Sequence, residues 1–272
     1  MRDASHRHPQ KQMRLAMSLL REGNAADWQY RVLKQLQESS PAVREMLVAV
    51  DFCATEEGFP PGAREELFAL IHKDNARDPS RALAILYHVG ESFTDKSVES
   101  AARWVFEAAR LGVHRLGHAL ALGILPQHFQ GNVREEIASE RIAQIDFECQ
   151  HAEALCAGGF AVDTVALQAE KKDLHNGPEK IKIIYDKGRL HRLELFQDFC
   201  IQGVRQTGAV IESCPTSNLR IGSLSPGVHP LRRFLNAGLS VVIGSDDPGI
   251  LRTNLEAEFR LDRKSTRLNS SH

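Results

Sequence analysis

The sequence predicts an α/β fold built around a parallel sheet. Short, continuous apolar runs, typical of strands covered on both faces, alternate with segments whose apolar residues repeat at helical spacing. This strand–helix alternation is the pattern of parallel sheets. Histidines and carboxylates directly follow several of the apolar runs. Because the carboxyl ends of parallel strands meet at one face, where barrels and open sheets place their sites, the pattern predicts a functional site there.

The N-terminal part of the chain predicts two helices and then a strand. Residues 11–40 carry apolar side chains at helical spacing, with Leu15 on the apolar face of the first helix. The apolar face of the second helix is predicted to carry Trp28, Val32, Leu33 and Leu36. Residues 46–50 form a short, wholly apolar run, which predicts the first strand of the sheet.

The remaining elements alternate along the chain. Helices are predicted at 65–73, 97–111 and 230–238, the last opened by a proline and closed by a glycine. Further strands are predicted at 82–87, 113–120, 209–212 and 239–243.

Two segments lie outside this alternation. Residues 121–208 are polar and mostly helical in pattern, and we expect them to form an insertion on a single domain of residues 1–261. Residues 262–272 lack apolar periodicity and resemble the translation of a common sequencing adapter, so we expect an artefactual tail.

Composition argues against several classes of function. A net charge of −1 gives no global field that would attract nucleic acid or an anionic membrane, and we expect neither as a partner. No apolar run reaches the length of a membrane span, and residues 1–10 lack the apolar core of a signal peptide. The five scattered cysteines contain no C-x-x-C pair, which predicts free thiols and a cytoplasmic location.

His88 and Glu91 are the first candidate site residues, at the end of the predicted strand 82–87. A histidine at a strand end can present Nε2 to zinc, and Gly90 lets the backbone turn or a substrate approach closely. Glu91 lies on the first turn of the loop, where a raised pKa would let it donate a proton to a substrate. The alternative is a packed core histidine beside an exposed loop acid.

His118 ends the next predicted strand. It could orient or deprotonate an attacking water, or stabilise the negative charge of that water. The alternative is a hydrogen-bonded structural histidine, the role that we expect for His114. Arg115 is expected to hold the loop through carboxylates.

Asp246 and Asp247 follow the last predicted strand. Two neighbouring carboxylates are costly to pack unless a cation or a donor compensates, so one could bind a metal while the other faces a substrate. The alternative is a capping turn before a helix that starts at Pro248. The polar turn 214–218, after the strand 209–212, is expected to shape the site and anchor its neighbours. Cys214 is not expected to be a nucleophile, because no sequence feature gives it a base partner.

Together these segments resemble the motifs of the adenosine deaminase family of metal-dependent amidohydrolases. The family's H-A-G-E, R-I-G-H-G, C-P-x-S-N and S-T-D-D-P motifs are similar to residues 88–91 (HVGE), 115–119 (RLGHA), 214–218 (CPTSN) and 244–248 (GSDDP). Residues 51–57 are similar to the family's fourth strand and the loop after it. The resemblance implies a TIM (β/α)8 barrel, of which this chain would hold only about strands 4–8.

The resemblance also implies a reaction and a role for each catalytic residue. The reaction would be hydrolytic removal of the 6-amino group of adenosine, giving inosine and ammonia. His88 and Asp246 would bind one Zn2+ ion. Glu91 would exchange a proton with the purine ring, and His118 would position and activate the water.

Three residues would contact the purine nucleoside. Asp247 would hydrogen-bond the purine or the attacking hydroxyl, and Gly90 and Ala54 would line the substrate site. Ala54 stands where the family usually has a glycine whose backbone contacts the purine, and Ala119 stands where the R-I-G-H-G motif ends in glycine.

The family's first metal-binding element, a His-x-His after the first barrel strand, has no convincing counterpart. Residues 6–8 (HRH) have the spacing, but their flanks are polar and no predicted strand precedes them. With His88 and Asp246 alone, zinc would have fewer than the three protein ligands that catalytic sites ordinarily use. We therefore expect the complete gene product to be a deaminase and this chain to be an inactive fragment, incomplete at both ends.

Two other functions remain open from the sequence. An AMP or adenine deaminase of the same family is one, and extra basic residues in the site would favour a nucleotide. A non-catalytic binding protein on the same scaffold is the other. The presence of Glu91, His118 and the paired aspartates argues against it, because buried acids are costly without a function.

Overall fold

One parallel sheet organises the part of the chain that the structure describes. This computed structural model describes residues 13–221, 224 and 228–268. Its strands are β1 (Leu15–Ser18), β2 (Leu47–Phe52), β3 (Ala84–Val89), β4 (Arg115–His118), β5 (Val133–Ile137), β6 (Lys180–Ile184), β7 (Val210–Ser213) and β8 (Ser240–Ile243). Six of them form the main sheet, in the order β1–β2–β3–β4–β7–β8 with every neighbouring pair parallel. β5 and β6 pair with each other in an antiparallel ladder.

Helices connect the strands and cover the sheet. They are α1 (Ala25–Ser39), α2 (Pro41–Met46), α3 (Glu65–Arg77), α4 (Val98–Arg110), α5 (Leu120–Gly123), α6 (Ala138–Gln150), α7 (Ala152–Ala157), α8 (Thr164–His175), α9 (Lys187–Thr207), α10 (Pro215–Arg220), α11 (Leu231–Asn236), α12 (Pro248–Leu251) and α13 (Leu255–Leu268). Short 3-10 helices occur at Pro61–Arg64, Pro79–Arg81 and Pro126–Phe129. The α/β class predicted from the sequence is confirmed.

The five predicted strands all form, as β2, β3, β4, β7 and β8, and their ends shift by no more than two residues. The sheet also has a sixth strand, which lies where the sequence predicted the first helix, so that prediction is wrong. Leu15–Ser18 is the edge strand β1, which pairs with β2. A four-residue segment is too short for apolar periodicity to separate a helix from a strand.

The predicted second helix forms as α1, and only part of its predicted apolar face is buried. Tyr30 and Leu33 point into the core, whereas Trp28 and Leu36 are exposed. The two buried residues lie three apart, which places them on one face of a helix. The prediction of the inward face is therefore right at Leu33 and wrong at Trp28 and Leu36.

The two faces of the sheet are covered unequally. On β3, Ile85, Tyr87 and Val89 are buried, while the alternate residues are only half-buried. Tyr87 packs with Phe52 of β2 and Phe68 of α3, with ring centroids 5.5 and 5.8 Å from the Tyr87 ring. The half-buried face carries His88, so the sheet keeps an accessible surface where the site residues lie.

Residues 121–208 combine an added unit with a connection of the main sheet. The unit contains α6–α8 and the β5–β6 pair, which the prediction of a mostly helical segment did not include. α9 leads directly into β7 and packs closely on α4: a Cβ on Gly203 would lie 2.1 Å from the Phe106 ring. The last part of this segment therefore positions the strand that precedes Cys214.

The C-terminal helix α13 runs to Leu268, beyond the boundary predicted at residue 261. Across the described residues, no helix is both long enough and apolar enough to cross a membrane. All five cysteines are free thiols.

Candidate active site

The carboxyl ends of three strands bring Glu91, His118 and Asp246 together. One potential ligand atom from each residue lies within 4.8 Å of the others. Glu91 Oε2 lies 3.4 Å from His118 Nε2. These residues follow β3, β4 and β8, so the parallel sheet collects side chains that are far apart in the sequence.

His88 lies beside this group and is held by β2. Its Nδ1 is 3.1 Å from Asp51 Oδ1, and its ring centroid is 5.0 Å from that of His118. Gly117 is the sheet neighbour of His88, and a Cβ there would lie about 3.0 Å from the His88 ring. Glycine at this position therefore gives the His88 ring its space.

A buried carboxylate fixes the loop that carries Glu91. Glu56 accepts hydrogen bonds from the backbone N–H groups of Gly90, Glu91 and Ser92, at 2.8, 3.1 and 3.2 Å. Gly90 has a φ of +73°, and a Cβ there would lie 2.7 Å from a methyl group of Val105. The loop thus needs glycine at position 90 for both its backbone conformation and its packing.

Two of the grouped residues have unusual backbone conformations. The φ angle is +63° at His118 and +52° at Asp246, in the left-handed region that L-residues rarely adopt. Such conformations cost roughly 1–3 kcal/mol each and occur preferentially at functional sites. Ala119, where the family motif has glycine, also has a positive φ, of +50°.

Hydrogen bonds reach His118 from α10, the helix that follows the neighbouring strand β7. Asn218 Nδ2 is 2.8 Å from His118 Nδ1, and Asn218 Oδ1 is 3.0 Å from His229 Nε2. Asn218 and His118 are buried. The sequence predicts that the turn containing Asn218 shapes the site, but it gives Asn218 no individual role and does not mark His229 at all.

The environment shifts the pKa values of the acid and the histidine in opposite senses. Burial, and then the charge of Asp246, raise the pKa of Glu91 to about 7. Burial, and then the charge of His88, lower the pKa of His118 to about 4. At neutral pH, Glu91 is therefore partly protonated and His118 is neutral, an assignment suited to acid–base chemistry.

The residues expected to be structural behave as predicted. His114 Nδ1 accepts a hydrogen bond from the Ile85 N–H at 3.0 Å, and Arg115 pairs with Glu212 at 3.4 Å. Cys214 is buried, and burial together with the charge of Glu212 raises the pKa of its thiol to about 12. Cys214 therefore stays protonated, as a non-nucleophilic residue would.

Asp247 and Ala54 are not members of the Glu91–His118–Asp246 group. Asp247 is exposed and precedes α12, which starts at Pro248 as the alternative predicted, but its side chain makes no capping hydrogen bond. Ala54 is also exposed, with a φ of +128°. Their substrate-binding roles remain predictions.

The donor set of the site suits a zinc ion. Glu91 Oε1 is buried and lacks a hydrogen bond of normal geometry to any described residue, although the Ser217 hydroxyl is close enough to lower the Glu91 pKa slightly. The contact with Asp51 uses Nδ1 of His88, so Nε2 is available to bind a metal. Imidazole nitrogens and carboxylate oxygens are ordinary zinc ligands. The predicted pair, His88 and Asp246, overlaps the group only at Asp246, and residues 6–8 lie outside the described residues.

Fold and site together define a class: an α/β protein with histidines and carboxylates at the carboxyl ends of parallel strands, as in metal-assisted hydrolases. The structure is similar to adenine deaminase from Arthrobacter aurescens, with a TM-score of 0.50 and 19% identity over 93% of this chain and 50% of that chain. A zinc-bound amidohydrolase from Burkholderia ambifaria matches with a TM-score of 0.50 and 16% identity, over 96% of this chain and 48% of that chain. These likenesses show the fold of amidohydrolase-type barrel deaminases.

Sequence comparison finds local similarity to one family of deaminases. A family model described as adenosine deaminase matches residues 190–272, a range that includes the segment expected to be an artefactual tail. The aminodeoxyfutalosine deaminase of Acidothermus cellulolyticus is 42% identical over 59 residues, which are 21% of this chain and 17% of that protein. The adenosine deaminase of Shewanella denitrificans is 46% identical over 52 residues, 19% of this chain and 16% of that protein.

The C-terminal part of the chain is therefore similar to the adenosine deaminase family. The segments aligned with its curated relatives cover less than a fifth of those proteins, and the chain spans about half the length of the solved structures that it matches.

Proposed function

We propose that this chain carries the acid–base part of an active site for the hydrolytic deamination of a purine nucleoside, in which adenosine and water give inosine and ammonia. The observation that carries the proposal is the group of Glu91, His118 and Asp246 at the carboxyl ends of three parallel strands. Relatedness to the adenosine deaminase family supports the reaction class.

Glu91 is the proposed proton donor. With a pKa raised to about 7, a substantial fraction of this side chain is a neutral acid near physiological pH. A neutral acid can protonate the ring nitrogen beside the carbon that bears the amino group, which makes that carbon more electrophilic. His118 would orient the attacking water from the same space, since its Nε2 lies 3.4 Å from Glu91 Oε2.

His88 and Asp246 are the proposed zinc ligands. The bond between Asp51 and His88 Nδ1 orients the ring so that Nε2 remains for a metal, the arrangement usual for metal-binding histidines. When bound, zinc supplies Lewis acidity that makes a water molecule nucleophilic near neutral pH. Asp247, Gly90 and Ala54 are the proposed substrate contacts, and free cysteines support a cytoplasmic location.

A nucleotide substrate such as AMP is the second candidate, because a basic residue lies near Glu91. A cavity of about 230 Å³ beside Glu91 is lined by Arg134, His128 and Asn132. The Arg134 guanidinium stacks 4.8 Å above the Phe93 ring and donates one hydrogen bond to the Phe93 carbonyl at 2.6 Å. Its remaining donors could bind a phosphate group.

The test is ammonia release by the purified chain from adenosine, AMP and adenine, with and without excess zinc. In protein from the full reading frame of the source gene we expect zinc-dependent release that is fastest with adenosine and that Glu91→Gln abolishes, whereas the 272-residue chain is predicted to release none. Glu153→Gln, on an exposed residue of α7, is the matched control and should change nothing. A faster rate with AMP that falls in Arg134→Gln would favour the nucleotide.

The predicted inactivity of the 272-residue chain is tested in the same assay. We propose that it holds zinc weakly, with His88 and Asp246 as its predicted ligands. A second preparation from the full reading frame of the source gene separates a weak metal site from the absence of catalysis. Zinc-loaded protein from that frame which binds purines without releasing ammonia would identify a non-catalytic binding protein.

A further inference from the structure

A chain of three hydrogen bonds leads from α11 to His118. It begins where the Leu231 N–H donates to His229 Nδ1, at 3.2 Å. A backbone N–H can only donate, so His229 Nδ1 carries a lone pair. A neutral imidazole with a free Nδ1 must carry its hydrogen on Nε2.

The second bond fixes the orientation of the Asn218 amide. His229 Nε2 lies 3.0 Å from the side chain of Asn218, and an N–H there requires the amide oxygen as its acceptor. The amide nitrogen of Asn218 then faces His118 Nδ1, at 2.8 Å. Because an amide NH2 group only donates, His118 Nδ1 must be an acceptor.

The third bond therefore fixes the tautomer of His118. With Nδ1 accepting, the neutral ring carries its hydrogen on Nε2, which lies 3.4 Å from Glu91 Oε2. Asn218 has no exposed surface and His118 only 2%, so solvent cannot readily replace either partner. A buried network in which each member has one permitted orientation is stable in that orientation.

We propose that Asn218 and His229 are positioning residues that hold His118 with its hydrogen on Nε2, so that His118 presents a donor to the space shared with Glu91 and Asp246. In this state His118 orients an attacking water or stabilises its developing negative charge, and it does not take up the proton of that water. Only this catalytic consequence rests on the proposed deamination, because the tautomer itself follows from the hydrogen bonds.

The tautomer is measured directly by nitrogen NMR on the full chain labelled with 15N-histidine. Correlations to the ring protons distinguish a protonated from an unprotonated nitrogen, and loss of a signal in His118→Gln assigns His118 among the 12 histidines. We expect an Nε2-protonated His118 in the wild-type protein. His191→Gln, at an exposed position of α9, is the control that should leave the spectrum of His118 unchanged.

The decisive variant is Asn218→Asp, which keeps the side-chain shape and replaces the donor by an acceptor. A carboxylate at this position needs a hydrogen on His118 Nδ1, so the tautomer should invert. The pair His229→Gln and His229→Leu tests the outer bond: glutamine can still donate to Asn218 and should preserve the tautomer, whereas leucine should yield a mixture. If Asn218→Asp does not fold, the two His229 variants still test whether the hydrogen-bond chain sets the tautomer of His118.

Turnover provides a second, separate measurement. Where purine deamination is observed, Asn218→Asp should lower kcat by at least about tenfold with little change in KM, as for other residues that orient a catalytic histidine. His229→Gln should recover most of the rate that His229→Leu loses. A general loss of stability would lower both variants alike and would not separate them.

The possible outcomes are distinct. A His118 protonated on Nδ1 in the wild type, or unchanged in both Asn218→Asp and His229→Leu, overturns the positioning role. The expected tautomers without deamination of any purine would retain the hydrogen-bond chain and overturn the proposed function alone.

Discussion

Two histidines lie side by side at the ends of β3 and β4, and their partners prepare them for opposite tasks. On the β2–β3 side, the carboxylate of Asp51 accepts from His88 Nδ1, so Nε2 keeps a lone pair for a metal. On the β4–β7 side, the amide of Asn218 donates to His118 Nδ1, so Nε2 carries a hydrogen. The ring centroids are 5.0 Å apart. The hydrogen-bond partner at Nδ1, rather than the position of the ring, therefore makes one histidine suited to bind a metal and the other suited to donate a hydrogen bond.

The largest effect is expected at Glu91, which faces His118. Glu91→Gln keeps the shape of the side chain and removes its acidic proton, and loss of a general acid typically lowers kcat by about 10²–10⁴-fold. The measurement is the initial rate of ammonia release at saturating zinc, with Glu153→Gln as the control. An unchanged rate would remove Glu91 from the proposed mechanism.

The next largest effect concerns zinc affinity, which should respond differently to the removal of His88 and of His118. His88→Ala should weaken zinc binding by more than about 100-fold, since even an outer partner of a ligand is worth 10–100-fold. His118→Ala should change zinc affinity no more than a few-fold, because its Nε2 carries a hydrogen. Competition with a chelating dye measures both. The reverse result would make Glu91, His118 and Asp246 the metal site and would contradict the predicted ligand His88.

A smaller effect is expected from the partner of His88. Asp51→Asn weakens the acceptor that orients the ring, so zinc affinity should fall by about tenfold, at the lower end of the range for such partners. Asp173→Asn, on an exposed residue of α8, is the control in the same dye competition. An affinity equal to that of the control would show that Asp51 does not support the ligand.

The sequence predicted what depends on local pattern. Apolar runs gave the strands β2, β3, β4, β7 and β8, and the polar residues after β3, β4 and β8 marked three of the positions that the structure brings together. It failed at β1, because four residues do not contain enough periodicity to exclude a helix. On α1 the sequence placed Leu33 correctly on the inward face but also placed the exposed Trp28 and Leu36 there.

The sequence could not predict the hydrogen-bond partners of His118 and His88, for a different reason. Asn218 is 100 residues from His118 in the sequence, and Asp51 is 37 residues from His88. These contacts are fixed by the order of strands in the sheet, which spacing along the chain does not encode. Glu56 shows the same limit: its segment was recognised as similar to the family, but its bonds to the Gly90 loop become visible only in three dimensions.

In the metal-free protein, the raised pKa of Glu91 should make the free energy of unfolding depend on pH. The folded-state pKa of about 7 lies above the ordinary value of 4.5, so the folded protein binds this proton more tightly than the unfolded chain. The resulting stabilisation is complete below about pH 4.5 and is lost as the pH rises through 7. The free energy of unfolding of the wild type, relative to that of Glu91→Gln, should therefore fall over this interval.

Urea denaturation at several pH values measures this difference. The comparison with Glu91→Gln removes the contribution of His118, whose lowered pKa acts in the opposite direction by reducing stability in acid. A difference that does not change between about pH 5 and 8 would contradict the raised pKa of Glu91.

The smallest predicted effect concerns Ala54, three residues after Asp51. Its φ of +128° lies in the region that favours glycine, and its side chain is exposed, so Ala54→Gly removes strain without losing packing. We expect a stabilisation of about 1 kcal/mol, the order of the cost of a positive φ for an L-residue. Ala82→Gly is the matched control: Ala82 is also exposed but has a φ of −63°, so glycine there should destabilise by about 0.5 kcal/mol through chain entropy. An equal loss of stability in both variants would mean that the backbone at Ala54 is not strained. The similarity of this loop to the glycine-containing loop of the family would then have no energetic basis.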